Sequence, residues 1–161
     1  MAFVFIGLGS NIGDRGRYLA SAVRMVKEII SPDMLAESSI LETKAVDFTE
    51  QPDFLNQVIL IKTEIPPEKL LEMLKEIENT LGRVRRFTKG PREIDLDILL
   101  YDDVVMNSDV LIIPHPEILN RDFILENLIE LNPELRDPRT GEKYSLLHNQ
   151  KKEKVKDLPQ S

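Results

Sequence analysis

The chain has 161 residues, a length typical of one domain, with 42% hydrophobic and 30% charged residues. Its formal net charge of −7 argues against non-specific binding to nucleic acids or anionic membranes, and the absence of cysteine excludes disulfides and thiolate metal sites. The first residues lack a basic leader and no apolar run reaches the ~20 residues of a membrane span, so we expect a cytoplasmic protein without a nucleic-acid or membrane partner.

The first half of the sequence predicts a strand, a helix and two further strands. The apolar run from Phe3 to Leu8 is typical of a strand. Asp14 can cap the helix that follows, whose predicted buried stripe is Leu19, Ala22, Val23, Val26, Ile29 and Ile30. Residues 35–43 and 57–65 have the composition of strands. Because no helix is predicted between these two strands, we expect them to be antiparallel.

The second half predicts a helix, a strand, a hairpin and a last helix. Pro66 and Pro67 favour a helix start, Glu68 suits the positive end of that helix, and Gly82 suits its C-cap. Its predicted buried side is Leu70, Leu71, Leu74, Ile77 and Leu81. Beyond it we expect a strand over 94–101, a turn at 102–103, a hairpin of 104–105 with 110–113, and a helix over 121–131.

This order of elements predicts an α+β fold: a ferredoxin-like antiparallel sheet with helices packed on one face, plus a C-terminal hairpin and helix. The opposite face of the sheet is expected to stay open for a ligand. We expect a single domain over residues 1–161, in which about 148–161 form a weakly ordered tail because the apolar content falls there.

An acidic pair lies on the strand predicted over 94–101. One face of this strand is formed by Ile94, Leu96, Ile98 and Leu100. Asp95 and Asp97 then point to the opposite face, with α-carbons roughly 6.6 Å apart. Two carboxylates at that separation can straddle a pair of metal ions ~3.5–4 Å apart, an arrangement that handles polyphosphates. Taken alone, an Asp-x-Asp pair is more often an ordinary solvent-facing pair.

A basic loop precedes this strand. Residues 82–92 include Arg83, Arg85, Arg86, Lys89 and Arg92 and contain no acidic residue, although the whole chain is acidic. Arginine offers a planar fork of donors that suits phosphate oxygens. The basic loop and the acidic pair together indicate a site for a phosphorylated ligand and its metal ions.

Five sequence blocks, taken together, resemble the 6-hydroxymethyl-7,8-dihydropterin pyrophosphokinase family of folate biosynthesis. They are Gly9-Ser10-Asn11, residues 51–56, Gly90-Pro91-Arg92 with residues 95–100, Pro114-His115-Pro116, and residues 120–123. The resemblance implies a ferredoxin-like catalytic domain that transfers the β,γ-diphosphoryl group of ATP to the hydroxymethyl group of the pterin and releases AMP. It also implies two Mg²⁺ ions on Asp95 and Asp97, with ATP as co-substrate, and we expect the enzyme to act as a monomer.

The resemblance also assigns the remaining site residues. Arg83 and Arg92 would guide the transferred phosphates, and Asp95 would also contact the pterin. The pterin would be bound by Thr43, Lys44, Ala45, Val46, Phe54, Asn56 and Phe123, with the two aromatic rings stacked on its faces. ATP would be bound by Leu71, Lys75, Glu78, Arg85, Arg92, Ile98, His115 and Arg121.

Two other function classes fit parts of the sequence. Residues 7–13 resemble a glycine-rich dinucleotide-binding turn, but the third glycine is one place late and no second strand ending in an acid follows at ~20 residues. A non-enzymatic ferredoxin-like nucleotide- or RNA-binding module shares the order of elements. It would need a basic sheet face, whereas the acidic pair here would repel phosphates unless metal ions were bound.

Overall fold

The computed structural model describes residues 1–44, 51–83 and 91–156, with the backbone alone for 154–156. Its elements are β1 (Ala2–Ser10), α1 (Arg15–Ile29), β2 (Ala36–Glu37), β3 (Leu41–Thr43), β4 (Phe54–Thr63), α2 (Pro67–Thr80), β5 (Asp95–Tyr101), β6 (Met106–Asn107), β7 (Ile112–Ile113), α3 (Asp122–Leu131) and α4 (Tyr144–Lys156). Within the described ranges, no helix combines the length and the apolar character that a bilayer-spanning segment requires.

The main sheet is antiparallel and has the strand order β2-β4-β1-β5, with β3 also paired to β4. This order, with α1 and α2 as the crossovers, confirms the predicted α+β ferredoxin-like fold. β6 and β7 form the predicted hairpin, although its paired residues differ from the predicted ones.

The two crossover helices pack on one face of the sheet as predicted, whereas the C-terminal helices lie on the face that was expected to stay open. α1 and α2 bury their apolar stripes against one face, in a core that includes Val4, Ile6 and Leu96. α3 and α4 cover part of the opposite face, over Phe5 and Leu100. That opposite face therefore stays open only beyond the row of Phe5 and Leu100, toward the end of β1 and the start of β5.

The predicted helix starts and the predicted stripe of α1 are largely confirmed. Asp14 caps α1 by accepting a hydrogen bond from the backbone N–H of Arg17, and Pro66 is the N-cap of α2. Most of the α1 stripe is buried, but Ile29, at the edge of the stripe, is 52% exposed. Gly82 ends α2 with a φ of 90°, a left-handed conformation that glycine adopts without steric cost.

A side-chain hydrogen bond splits the strand predicted over residues 35–43 into β2 and β3. The Ser38 hydroxyl oxygen accepts from the backbone N–H of Val58, and the backbone N–H of Ser38 donates to the Val58 carbonyl, at 2.8 Å each. The side chain thus replaces one backbone acceptor of the ladder and the strand is interrupted. β4 itself begins at Phe54, three residues earlier than predicted, which brings Phe54 and Asn56 into the sheet.

A register shift changes the predicted alternation at the end of β5. Phe5 pairs with Leu100, but Ile6 pairs with Ile98, so Leu99 is an extra residue between them. As a result Leu99 and Leu100 both belong to the core under α3, while the next residue, Tyr101, belongs to the core under α1 and α2. The prediction that Leu100 shares a face with Ile94, Leu96 and Ile98 is therefore wrong.

The sequence predicted a weakly ordered tail from about His148, but the structure is helical beyond this residue. α4 continues to Lys156, and Tyr144 and His148 are both buried. Lys151 Nζ donates to the Leu119 carbonyl at 3.0 Å and fixes this helix to the turn before α3. Residues 157–161 of the expected tail lie outside the described residues.

We expect Asp137→Asn to destabilise the protein at neutral pH, because a buried carboxylate fixes the turn that leads into α4. Asp137 accepts hydrogen bonds from the backbone N–H, Nε and Nη2 of Arg139 at 2.9, 3.1 and 2.9 Å. Burial alone would raise the pKa of Asp137, but the bonds from Arg139 outweigh burial and lower it below its ordinary value. At pH 7 the substitution should cost about 1–3 kcal/mol.

The pH dependence of this loss gives the check. A depressed carboxyl pKa stabilises the fold above the unfolded pKa of ~3.9, and this stabilisation disappears as the pH falls through the folded value. The difference in free energy of unfolding between wild type and Asp137→Asn should therefore shrink below about pH 4. Glu142→Gln, at an exposed carboxylate of the same segment, is the control. A difference that is equal at pH 7 and pH 3 would contradict the account.

Candidate active site

A cavity of about 350 Å³ opens on the uncovered part of the sheet, and its floor is formed by β1, β4 and β5. Asp95 and Asp97 lie on this floor, side by side on one face of β5 as predicted. In β1, Gly9 pairs with Asp95 and Gly7 pairs with Asp97. A Cβ at Gly7 would lie 3.3 Å from Leu99, and one at Gly9 would lie 3.5 Å from Asn56. The two glycines therefore keep the floor beside each carboxylate free of side chains.

The two carboxylates differ in their protonation. Burial would raise the pKa of Asp95, but the positive charges of Arg92, Lys75 and Arg83 outweigh burial and lower it. For Asp97, burial and then the negative charge of Asp95 raise the pKa to about 8, despite the nearby Lys75. Burial and Asp95 therefore disfavour the charged form of Asp97, and a cation bound between the two carboxylates would favour the ionised form of both.

The pair fits a hard divalent cation, because carboxylate oxygens are the ligands that Mg²⁺ prefers. In the described part of the chain, no group of three or more His, Cys, Asp or Glu side chains could hold a metal ion. Two carboxylates would thus supply only part of the coordination shell, and phosphate and water oxygens would supply the rest.

Two arginines bind Asp95 from opposite sides. Arg92 Nη1 lies 3.1 Å from Asp95 Oδ2, and Arg83 Nη1 lies 3.1 Å from Asp95 Oδ1. The Arg92 guanidinium also lies over the ring of Phe54, 5.5 Å from its centre. Both predicted phosphate-guiding arginines are therefore placed beside the acidic pair.

Glu78 holds Arg83 in this position. Its carboxylate, 4% exposed, accepts from Arg83 Nη1 at 2.7 Å and from Lys75 Nζ at 3.2 Å. It also accepts from the backbone N–H of Leu96 at 2.7 Å. The turn at Gly82 directs the chain back, so that the N–H of Arg83 donates to the Glu78 carbonyl at 3.1 Å. The sequence predicted Glu78 as an ATP contact, whereas its carboxylate here is occupied by protein partners and does not line the cavity.

Asn11 holds the backbone of Arg92 in position, as Glu78 holds the side chain of Arg83. No role was predicted for Asn11 from the sequence. It is fully buried at the end of β1. Its Oδ1 accepts from the backbone N–H of Arg92 at 2.9 Å, while its Nδ2 donates to Gln51 Oε1 at 2.7 Å and to the Pro52 carbonyl at 3.1 Å. Asn11 thus connects the segment that carries Arg92 with the segment that leads to Phe54. The signal was present in the sequence, as the block Gly9-Ser10-Asn11.

The predicted aromatic pair lines the same cavity. Phe54 begins β4, Phe123 lies in the first turn of α3, and both are partly exposed. Asn56 lies two residues after Phe54 on the same face of β4. Its Nδ2 donates to Thr43 Oγ1 at 2.7 Å and to the Leu41 carbonyl at 3.3 Å. With Nδ2 bound to these protein acceptors, Asn56 offers a ligand its Oδ1 as an acceptor.

His115 lies at the cavity with its ring fixed. Its backbone N–H donates to the Leu99 carbonyl at 2.9 Å, and its Nδ1 accepts from the backbone N–H of Glu117 at 3.1 Å. Burial, the largest influence, lowers the pKa of His115, so the ring is neutral at pH 7. With Nδ1 as acceptor, the neutral ring carries its proton on Nε2 and can donate it in a hydrogen bond.

The structure brings most of the predicted site residues together. Those that line the cavity are Thr43, Lys44, Phe54, Asn56, Arg92, Asp95, Asp97, His115, Arg121 and Phe123. Ile98 is buried in the core beneath α1 and α2, and Leu71 is partly buried against that core, so neither side chain lines the cavity. Ala45, Val46 and Arg85, with most of the basic loop, lie outside the described residues. Lining residues that the sequence did not indicate are Gly7, Leu8, Gly9, Gln51, Gln57, Val58, Leu99, Glu117, Ile124 and Asn127.

Comparisons with known proteins show the family of this chain. The family model for 7,8-dihydro-6-hydroxymethylpterin-pyrophosphokinase (HPPK) matches residues 5–133. A 2-amino-4-hydroxy-6-hydroxymethyldihydropteridine pyrophosphokinase of Aquifex aeolicus is 43% identical over 138 residues, which are 86% of this chain and 85% of the relative. The folic acid synthesis protein fol1 of Pneumocystis carinii is also 43% identical over 138 residues, but the match spans 18% of that longer protein.

A solved structure supports the fold. The HPPK-DHPS triple mutant of Plasmodium falciparum superposes with a TM-score of 0.76 at 16% identity, covering 97% of this chain and 45% of that chain. At this identity the likeness concerns the fold alone, whereas the family model and the Aquifex aeolicus relative concern the sequence. Fold, cavity and sequence lead to one conclusion: the chain belongs to the 7,8-dihydro-6-hydroxymethylpterin-pyrophosphokinase family.

Proposed function

We propose that this enzyme transfers the β,γ-diphosphoryl group of ATP to the hydroxymethyl oxygen of 6-hydroxymethyl-7,8-dihydropterin, giving AMP and the pterin diphosphate for tetrahydrofolate biosynthesis. The observation that carries the proposal is that an aromatic pair and an acidic pair share one cavity. Phe54 and Phe123 suit a flat heterocycle, and Asp95 and Asp97 suit the metal ions of a polyphosphate. Membership of a pyrophosphokinase family agrees with this chemistry.

Asp95 and Asp97 would hold two Mg²⁺ ions, since they present hard oxygen ligands on the cavity floor. Bound Mg²⁺ would neutralise the charge of the transferred phosphates and align the attacking hydroxyl with them. Because burial and the charge of Asp95 raise the pKa of Asp97, cation binding at this carboxylate would favour its ionised form.

The arginines would change partners when ATP binds. Arg83 and Arg92 both bind Asp95 in the structure, so both guanidinium groups lie beside the acidic pair. Guanidinium groups bind phosphate oxygens in the same forked geometry as carboxylates. Each arginine would therefore stabilise the negative charge on the transferred group, and His115 Nε2 would donate a further hydrogen bond.

Contacts with ATP stay predictions for Leu71, Lys75, Arg85, Ile98 and Arg121. Of these, Arg121 lines the cavity wall. The positive charge of Lys75 helps to lower the pKa of Asp95, so it acts on the cavity floor. The cytoplasmic location and the monomeric state also stay predictions.

An assay of the products tests the proposed reaction. Purified enzyme with ATP, Mg²⁺ and 6-hydroxymethyl-7,8-dihydropterin should form AMP and the pterin diphosphate in equal amounts, and chelation of Mg²⁺ should stop the reaction. Formation of ADP, or no nucleotide product, would refute the proposal. Binding of single-stranded RNA that weakens steeply with salt would instead support the RNA-binding alternative.

We expect Gly9→Val to weaken pterin binding while leaving the fold intact. A Cβ at this position meets only ordinary contacts, 3.5 Å from Asn56 Oδ1 and 3.7 Å from Phe54. The added methyl groups would extend above the floor into the space between the aromatic pair and Asp95. The KM for the pterin should rise about tenfold or more, whereas the KM for ATP should change little.

Gly16→Val is the matched control for this variant, because a Cβ there meets nothing within 4 Å. Steady-state kinetics with each substrate varied in turn gives both KM values. An unchanged KM for the pterin in Gly9→Val would show that the ligand does not lie on this part of the floor.

A further inference from the structure

The inner wall of the cavity contains a buried amide that the proposed reaction does not use. Asn127 on α3 is 1% exposed, and neither Oδ1 nor Nδ2 has a hydrogen-bond partner in the described part of the chain. It lines the cavity together with Val58, Leu99 and Ile124, which offer no polar side-chain atom. Buried polar groups are nearly always hydrogen-bonded, and an unpartnered one destabilises the fold. An amide in this state within a cavity wall indicates a polar partner that arrives with a ligand.

Asn127 lies next to the predicted stacking position. Phe123 and Asn127 are four residues apart in α3, so their side chains lie on the same side of the helix, one turn apart. Across the cavity, Phe54, Asn56 and Val58 follow one another on the same face of β4. A flat ring held between Phe54 and Phe123 would therefore extend along both elements, with Asn56 on one side and Asn127 on the other.

Asn56 cannot supply every hydrogen bond that the edge of a pterin ring can make, so a second polar side chain is required. Both N–H groups of its amide are directed to protein acceptors, Thr43 Oγ1 and the Leu41 carbonyl, so it offers the ligand an acceptor only. The edge of a pterin ring carries acceptors as well as donors. Asn127 offers two free N–H donors and one acceptor in a planar group of the same kind.

We propose that Asn127 is a specificity-determining residue that hydrogen-bonds the polar edge of the heterocyclic substrate. This inference rests on the proposed function and extends it, because it assigns to the inner wall the donor that Asn56 lacks. The role concerns binding and not the chemical step, since Asn127 is not among the groups that contact the acidic pair.

Calorimetry on the whole protein tests the inference. Wild type and Asn127→Leu are titrated with 6-hydroxymethyl-7,8-dihydropterin in the presence of Mg²⁺ and α,β-methylene-ATP, in which the bond to be broken is resistant. Leucine has a similar size but no hydrogen-bonding atom, so the Kd for the pterin should rise about tenfold or more. The Kd for the nucleotide, measured without pterin, should stay within twofold. Asn127→Ala should show the same loss and serves as the second variant if Asn127→Leu does not fold.

Thermal unfolding without ligands separates recognition from a structural role. Removal of an unpartnered buried amide should leave the Tm of Asn127→Leu unchanged or higher. A lower Tm with a pterin Kd within twofold of the wild-type value would overturn the inference. Asn149→Leu, at an exposed asparagine of α4, is the control for the substitution itself. If wild type does not bind the pterin at all, the proposed function fails rather than the role of Asn127.

Discussion

Asp97→Ala should lower the rate of AMP formation at least about 1000-fold at saturating Mg²⁺, while the protein stays folded. The loss follows because one carboxylate cannot bridge two cations and the phosphates between them. The fold should tolerate the change, since it removes an acidic side chain whose charged form is disfavoured by burial and by the negative charge of Asp95. Activity is measured by the AMP released in the presence of pterin, and stability by thermal unfolding without metal ions.

Asp103→Ala provides the matched control, because this aspartate is exposed in the turn just after the same strand. It should keep wild-type activity. Near-normal turnover by Asp97→Ala would remove the acidic pair from the mechanism. A large drop in Tm for that variant would show instead that Asp97 is a structural residue.

Glu78→Ala should have the largest effect on stability, about 3 kcal/mol or more, and should also reduce activity. The substitution leaves the buried backbone N–H of Leu96 without its acceptor and removes one of the two carboxylates that bind the guanidinium of Arg83. Arg83 would then lose the partner that orients it toward Asp95. The free energy of unfolding is measured by urea denaturation, and activity by AMP formation at a temperature at which the variant is folded.

The same helix offers an ion pair of equal spacing as a control. Lys69 and Glu72 form an i,i+3 pair at 3.3 Å, with side chains 59% and 67% exposed. Glu72→Ala should cost less than about 1 kcal/mol, because exposed pairs are screened by solvent. Equal losses in Glu72→Ala and Glu78→Ala would contradict the assignment of Glu78 as the group that positions Arg83.

The contrast between these two pairs shows what the sequence could not predict. Lys75 and Glu78 have the same spacing as Lys69 and Glu72, so the local pattern describes both as exposed helix pairs. Glu78 is buried because the turn at Gly82 brings Arg83 back over it and because the first residues of β5 pack against it. Both contacts are tertiary features. The sequence resemblance identified Glu78 as a site residue, but its contacts with Arg83 and Leu96 required the structure.

The main elements were predictable because their hydrophobic periods are long and regular. The stripes of α1 and α2 and the alternation over Ile94, Leu96 and Ile98 determine the two-layer core. The register shift at Leu99 reverses which side chains of β5 face each side of the sheet. The alternation of apolar residues in the sequence does not reveal such a shift. α4 was missed because most of its residues after Leu147 are polar, so its burial depends on the single side chains of Tyr144 and His148.

The acidic pair, the aromatic pair and Arg92 were all predicted, and the structure places them in one cavity. Their supporting residues were not assigned, since Asn11 and Asn127 are polar side chains whose importance comes from burial. Asn127 does stand on the apolar side of α3, three residues after Ile124 and one before Leu128. A polar residue on a buried stripe is thus the one sequence signal that could have indicated it.

Metal binding by the acidic pair is the central claim, and Mn²⁺ titration followed by electron paramagnetic resonance tests it most directly. With α,β-methylene-ATP and the pterin present, wild type should bind two Mn²⁺ ions per chain. Asp97→Ala should bind at most one tightly. Two tightly bound ions in both proteins would contradict the account, because the cations would then be held elsewhere.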